Sequence, residues 1–206
     1  MTFRLQEPEA PFQNATSRDW QKAFNPQREL GAFCSEIIYY QINIPPDGGH
    51  MANVLDYDRL HSLTIFRELD KNELEIVHKH VFEQSVKKDS VLFAEGMPGE
   101  LLYVIISGCV EIIKETKNIG KIVLATIGAN DIVGEMSLID SEPRSATAIT
   151  SEDSVLLVIN KHSFNEILKS DPHIAAKVLM GLLKIVSRRL RTTDKKIEDI
   201  KKIVKK

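Results

Sequence analysis

Five short apolar segments separated by glycines lie between residues 85 and 160, and this pattern limits the possible folds more than any other feature of the sequence. The segments read SVLFAE, LLYVIIS, CVEIIKE, KIVLATI and SVLLVIN, and glycines stand at positions 96, 99, 108, 120, 128 and 134. Short apolar segments bounded by glycine are typical of strands joined by tight turns. Many such strands in succession predict a barrel or a jelly roll.

Two short helices are predicted before the strands. Between Asp58 and about Glu83 the apolar residues recur at helical spacing, and Asp70 is placed to cap the second helix. The predicted buried face of this second helix consists of Leu74, Val77 and Val81.

One long helix is predicted after the strands. No proline follows Pro172, which stands in the first helical turn behind a cap at Asp171. Seam residues then recur at alternating spacings of 4 and 3, a heptad pattern that predicts a two-stranded coiled coil and therefore a homodimer. The seam consists of Leu179, Leu183, Val186, Leu190, Thr193, Ile197, Ile200 and Val204, of which only Thr193 is polar.

The predicted fold is therefore mainly β with flanking helices. It is a double-stranded β-helix (jelly roll) preceded by short helices and followed by a long C-terminal dimerisation helix. Residues 51–170 are expected to hold the roll with its N-terminal helices, and residues 171–206 the long helix. Residues 1–50 are a separate extension of unknown role. The GGHM junction at residues 48–51 leaves open a true start at Met51, a cloning scar or an ordinary loop.

Charge and cysteine content argue against several classes of protein. The chain has 27 Lys and Arg against 29 Asp and Glu, and this net charge of -2 gives no overall attraction to nucleic acid or to an anionic membrane. Cys34 and Cys109 do not make a disulfide framework, and no apolar run is long enough for a transmembrane segment or a signal peptide. We expect a cytoplasmic protein.

The end of the chain carries a local positive charge. Residues 188–206 contain nine Lys or Arg and three Asp or Glu, a net charge of +6. A solvated outer face of the coiled coil is the simplest interpretation. An acidic partner or an anionic membrane surface is the alternative.

The segment GEMSLIDSEPRS, residues 134–145, places a carboxylate and a guanidinium close together. Gly134 allows close approach of the backbone, EMSLI can form one helical turn, and Pro143 turns the chain so that Arg144 can face that turn. A helix N-terminus and an arginine both favour a phosphate, while Glu135 suits a ligand that also carries hydroxyls, such as a ribose. A purely structural ion pair is the alternative, but a half-exposed pair contributes only about 1 kcal/mol.

Together, the predicted helices, the glycine-punctuated roll containing GEMSLIDSEPRSA and the long helix containing RRLRTTDKK resemble the cyclic nucleotide-binding domain. That domain is shared by the bacterial catabolite activator protein, the regulatory subunits of cyclic-nucleotide-dependent kinases and gated channels. The resemblance covers roughly Asp58 to Ile197. It implies a sensor without catalytic activity that binds cAMP, with cGMP possible, and that couples binding to the position of the dimer helix and to an unknown protein effector.

The same resemblance implies the ligand contacts. Glu135 would accept the ribose 2'-hydroxyl and Arg144 would pair with the cyclic phosphate, while the base would lie between the roll and the long helix. Thr193 matches the position from which the long helix of the catabolite activator protein reaches the base, and the adjacent Asp194 stands where that protein has a serine. The implied ligand-binding residues are Gly134, Glu135, Met136, Ser137, Arg144, Ser145, Ile112, Leu124 and Thr193.

Catalytic and metal-binding patterns are weak in this sequence. His78 and His80 point to different sides of a helix, His162 and His173 stand at element ends, and no predicted strand holds the histidines that a metal-dependent jelly-roll enzyme needs. Thirteen residues follow Thr193, fewer than a helix-turn-helix requires. We therefore expect no enzyme, no metal site and no sequence-specific DNA binding.

Three alternatives remain open at this point. The chain could be a degenerate domain of the same fold that serves as a dimerisation or interaction module. It could sense another ligand, such as haem, oxygen or a different metabolite. It could also be a DNA-binding regulator that uses an unrecognised N-terminal element. Ser145 and Thr193 are compatible with cAMP and do not exclude cGMP.

Overall fold

The computed structural model describes residues 57–116, 119–139 and 142–204, apart from the side chains of Ser137, Leu138 and Val204. The expectations for the N-terminal extension, Cys34 and the junction before Met51 lie outside the described residues. The division of the chain into residues 1–50, 51–170 and 171–206 stays a prediction.

In the described residues, short helices precede the strands, one short helix lies among them, and two longer helices follow them. The N-terminal helices are α1 (Tyr57–Ser62), a one-turn 3₁₀ helix (Thr64–Phe66) and α2 (Lys71–His78). The strands in the described residues are β1 (Val81–Val86), β2 (Val91–Phe93), β3 (Leu101–Ser107), β4 (Val110–Thr116), β5 (Gly120–Ile127), β6 (Ile132–Val133), β7 (Thr147–Thr150) and β8 (Ser154–Asn160). The later helices are α3 (Glu135–Ile139, between β6 and β7), α4 (Lys161–Ser170) and α5 (Pro172–Val204).

The described strands pair into two antiparallel four-stranded sheets, which confirms the predicted jelly-roll architecture with flanking helices. The strand orders are β1-β8-β3-β6 and β2-β7-β4-β5. All five predicted strands are present, as β2, β3, β4, β5 and β8. Three further strands (β1, β6 and β7) and the helix α4 are not among the predicted elements. β6 has only two residues, and β1 reads VFEQSV, so neither carries a clear apolar pattern.

The cap of α2 is confirmed, but the predicted length of that helix is wrong. The Asp70 side chain accepts a hydrogen bond from the Glu73 backbone N–H at 3.0 Å, and the Glu73 carboxylate accepts one from the Asp70 N–H at 2.8 Å. This reciprocal capping box fixes the start of the helix. The helix ends at His78, and Val81 instead begins β1, where it pairs with Ile159 of β8.

The first sheet is covered on both of its faces, which explains why LLYVIIS and SVLLVIN are unbroken apolar runs. In β3, Leu102 and Val104 pack among the helices, whereas Leu101, Tyr103 and Ile105 face the interior of the roll. Both sets are buried. Strands with one wet face would alternate apolar and polar residues instead.

The first half of α5 packs against the rest of the fold through one face. Gly181 lies where the helix crosses the 3₁₀ helix, and a Cβ on it would overlap the carbonyl oxygen of Ile65, so only glycine permits this approach. The buried residues of this face are Ile174, Ala175, Val178, Leu182 and Ile185.

The second half of α5 does not pack against the other described elements. Every residue from 190 to 203 is exposed. Among the predicted seam residues, Leu179 and Val186 are partly buried against the core, whereas Leu183, Leu190, Ile197 and Ile200 are exposed. None of the helices in the part of the chain that the structure describes is long and apolar enough to cross a membrane.

Candidate functional site

The backbone of Arg144 is held by the turn at residues 94–97. The Gly96 N–H donates to the carbonyl oxygen of Arg144 at 2.8 Å, and the Arg144 N–H donates to that of Met97 at 2.8 Å. The Glu95 N–H donates to Oγ1 of Thr147 at 3.0 Å. The segment after α3 is therefore fastened to the turn after β2, which fixes where the Arg144 side chain begins.

The guanidinium of Arg144 is buried under α3. Nη1 donates to the carbonyl oxygen of Gly134 at 3.1 Å, and Nη2 donates to that of Leu101 at 2.6 Å. Its central carbon lies 4.0 Å from the centre of the Phe93 ring, a cation–π contact. The side chain therefore faces the roll rather than the solvent.

Gly134 makes this approach possible. Its φ is +82°, and a Cβ at this position would lie 2.5 Å from Nη1 of Arg144 and 2.9 Å from the carbonyl oxygen of Leu101. A side chain here would be strained in conformation and would also displace the guanidinium. The predicted role of Gly134, close approach of the backbone, thus has a defined partner in Arg144.

Burial shapes the electrostatics around Arg144. It lowers the pKa of the guanidinium, while the carboxylates of Glu135 and Glu100 act in the opposite direction. Burial also raises the pKa of Tyr103 to about 12. A buried cation is favoured when an anion is added beside it, so the surroundings of Arg144 suit a negatively charged ligand.

Glu135 is tied to the long helix. Its Oε1 lies 3.1 Å from Nη1 of Arg189, on α5. The same arginine contacts the roll, because its Nη2 donates to Oδ1 of Asp131 at 2.5 Å and also to the carbonyl oxygen of Ile132. Arg188 contacts the other carboxylate oxygen of Asp131 at 3.3 Å. Arg189 is therefore a junction between the start of α3, β6 and α5.

The other predicted site residues lie around this centre with different exposures. Met136 is exposed on α3, and Ser137 lies on α3 with a side chain outside the described residues. Ser145 is exposed and its carbonyl oxygen accepts a hydrogen bond from Lys114. Ile112 packs partly against the interior of the roll, and Leu124 is exposed on β5.

Thr193 lies beyond the junction. It is exposed on α5, four residues after Arg189. At about 100° per residue, four residues return to within about 40° of the same side of a helix, one turn further along. Thr193 therefore follows Arg189 on nearly the same side of the helix as the contact with Glu135.

Arg189 and Asp131 are not among the predicted site residues. A signal for Arg189 exists in the sequence, since the buried face of α5 runs through Val178, Leu182 and Ile185 at helical spacing and reaches Arg189 next. A cation that continues an apolar face needs a partner on the packed side. Among the described residues, no group of three or more His, Cys, Asp or Glu side chains is arranged to hold a metal ion.

Part of the chain matches a known domain family. Residues 83–171 match the family model for the cyclic nucleotide-binding domain. Over 136 residues, 66% of this chain, the sequence is 28% identical to a CRP-like cAMP-activated global transcriptional regulator of Mycobacterium tuberculosis. The matched part covers 59% of that regulator, so the chain spans about three fifths of its length.

Solved structures show the same fold. A cyclic nucleotide-binding domain from Methylobacillus flagellatus is 29% identical with a TM-score of 0.64, over 69% of this chain and 82% of that one. The c-di-GMP responsive global regulator CLP of Xanthomonas campestris is 27% identical with a TM-score of 0.55, over 63% of each chain.

The junction at Arg189 can be tested through stability. Arg189→Leu removes the partner of Glu135 and the nearer partner of Asp131 at a side chain only 29% exposed, so the free energy of unfolding should fall by about 2 kcal/mol. Arg188→Leu is the matched control, because Arg188 is 55% exposed and its loss should cost less than about 0.5 kcal/mol. Urea denaturation followed by circular dichroism measures both. Equal losses would contradict a special role for Arg189.

Proposed function

We propose that the protein is a cytoplasmic, non-catalytic sensor that binds a cyclic nucleotide such as cAMP and transmits binding to α5. The match of residues 83–171 to the family model for the cyclic nucleotide-binding domain supports this proposal. The observation that carries this proposal is the buried guanidinium of Arg144 behind Gly134, directly under the helix that begins with Glu135.

Arg144 and Glu135 match the two kinds of polar group that a cyclic nucleotide presents. The phosphate is a monoanion, and a buried guanidinium with several donors is suited to it. The ribose 2'-hydroxyl needs an acceptor, which a carboxylate supplies. A ligand with phosphate alone would be repelled by Glu135, so the pair favours a sugar phosphate.

Arg189 connects Glu135, at the start of α3, to α5. Its contact uses Oε1 of Glu135, so the carboxylate has a second oxygen on which to accept a hydroxyl. A ligand hydroxyl that binds Glu135 then changes the energy of the Glu135–Arg189 contact. This change differs between one position of α5 and another. Such a difference between placements is what couples binding to a conformational change.

The base would be covered by the roll and by the second half of α5. Ile112 and Leu124 offer apolar surface on neighbouring strands, with Ile112 pairing with Ala125. Thr193 offers a hydroxyl one turn beyond Arg189. Thr193 is also a residue of the predicted heptad seam. In a dimer the same residue would therefore help to align the two helices and also contact the ligand.

A homodimer through α5 is the second part of the proposal. Leu183, Leu190, Ile197 and Ile200 are exposed at heptad spacing. An isolated helical segment of about 15 residues is only marginally stable in water, and a second copy would bury this seam. The effector that reads the position of α5 is a further protein of unknown identity.

Binding should depend strongly on Arg144. Calorimetric titration with cAMP and cGMP should show that the unaltered protein binds nucleotide. Arg144→Ala should weaken binding about 100-fold because a charge-assisted contact to phosphate is lost. Arg144→Lys keeps the charge without the fork and should recover only part of the affinity. Arg59→Ala, which changes an exposed arginine on α1, should bind as the unaltered protein does.

Titration with c-di-GMP belongs in the same experiment, since the Xanthomonas campestris relative is described as responsive to that ligand. Tighter binding of c-di-GMP than of cAMP would replace the ligand in this proposal. No heat with any of the three nucleotides would contradict the sensor function and favour a dimerisation module of the same fold.

The dimer should depend on the seam. Leu190→Lys places like charges where two apolar side chains would meet, so we expect a shift from dimer to monomer in sedimentation velocity. Leu168→Lys is the matched control, because Leu168 is an exposed leucine on α4 outside the seam. A monomeric unaltered protein, or a dimer that survives Leu190→Lys, would contradict this part of the proposal.

A further inference from the structure

Lys114 lies beside the segment that carries Arg144. The pairing of β4 with β7 ends at Ile113 and Thr147, so Lys114 is the first residue of β4 beyond it. Its Nζ lies 3.3 Å from the carbonyl oxygen of Ser145. Lys114 therefore reaches the residue that directly follows Arg144.

The side chain of Lys114 lies on the face of β4 that is directed toward the interior of the roll. Side chains two residues apart on a strand point to the same face, so Lys114 shares a face with Ile112. Ile112 packs against the apolar cluster inside the roll. The ammonium is thus at the rim of the roll interior, whereas the Arg144 guanidinium is buried within it.

Glu95 holds the same ammonium. Its Oε1 lies 3.3 Å from Nζ of Lys114, and the two side chains are 40% and 44% exposed. Ion pairs with this exposure add little to stability. An ammonium on a flexible stem can exchange one oxygen partner for another at small cost. The pair is therefore better suited to a change of partner than to holding the fold together.

We propose that Lys114 is a second phosphate-binding cation, which leaves Glu95 for the phosphate when the nucleotide binds. The inference rests on the proposed function. A cyclic phosphate has two oxygens outside its ring, and Arg144 would take one from the inner side while Lys114 takes the other from the rim. Glu95 is then a built-in competitor that keeps the ammonium in place until the anion arrives.

Two substitutions with opposite expected effects test this inference by calorimetric titration with cAMP and cGMP. Lys114→Met keeps the apolar stem and removes the charge, and it should weaken binding about tenfold. Glu95→Gln removes the competing charge and should strengthen binding about threefold. Lys114→Arg restores a cation and should recover most of the affinity. Lys121→Met, which removes the same charge from the neighbouring strand β5, is the control and should leave binding unchanged.

Salt dependence adds a second measurement that a purely structural role would not change. An exposed cation that contacts the ligand makes binding weaken as salt is added. Lys114→Met should therefore flatten the plot of dissociation constant against salt concentration, and Lys121→Met should not.

The outcomes separate the explanations. If Glu95→Gln weakens binding as Lys114→Met does, the pair only supports the loop, and the inference is overturned. If Lys114→Met binds like the unaltered protein, the inference fails alone and the proposed function stands. If the unaltered protein binds neither nucleotide, the proposed function and this inference fail together.

Discussion

The candidate site depends on the contacts that hold the buried guanidinium of Arg144. Its backbone is clamped by the turn at residues 94–97, and its side chain is held by the carbonyl oxygens of Gly134 and Leu101 and by the ring of Phe93. These contacts join three separate parts of the roll at one positive charge. They also explain why glycine stands at 134, since any side chain there would occupy the space of the guanidinium.

A second arginine connects this site to the rest of the molecule. Arg189 is the point where α5 changes from a packed helix to an exposed one, and it contacts both Asp131 of the roll and Glu135 at the start of α3. A change in the environment of Glu135 therefore acts at the place where α5 is fastened. The exposed half of α5 that follows is the part most readily repositioned, because few contacts would have to break.

Sequence patterns predicted the features that come from local chemistry. The jelly roll follows from short apolar strands with glycine turns, and the start of α2 follows from the cap at Asp70. One contiguous motif also singled out Gly134, Glu135 and Arg144, whose ligand-binding role stays a prediction. Contacts between distant segments were missed for a physical reason. Lys114 and Arg189 look like ordinary surface cations, and their partners at Glu95 and Glu135 are chosen by the fold rather than by nearby sequence. β6 was not predicted because a strand of two residues is too short to show a periodic apolar pattern.

Hydrogen–deuterium exchange with and without saturating cAMP tests the central claim, that binding at Arg144 and Glu135 is transmitted to α5, most directly. We predict slower exchange at two places, in α3 and in residues 186–196 of α5, and no such change in Arg144→Ala at the same nucleotide concentration. Slower exchange confined to the roll, with α5 unaffected in a protein that demonstrably binds the nucleotide, would contradict the claim.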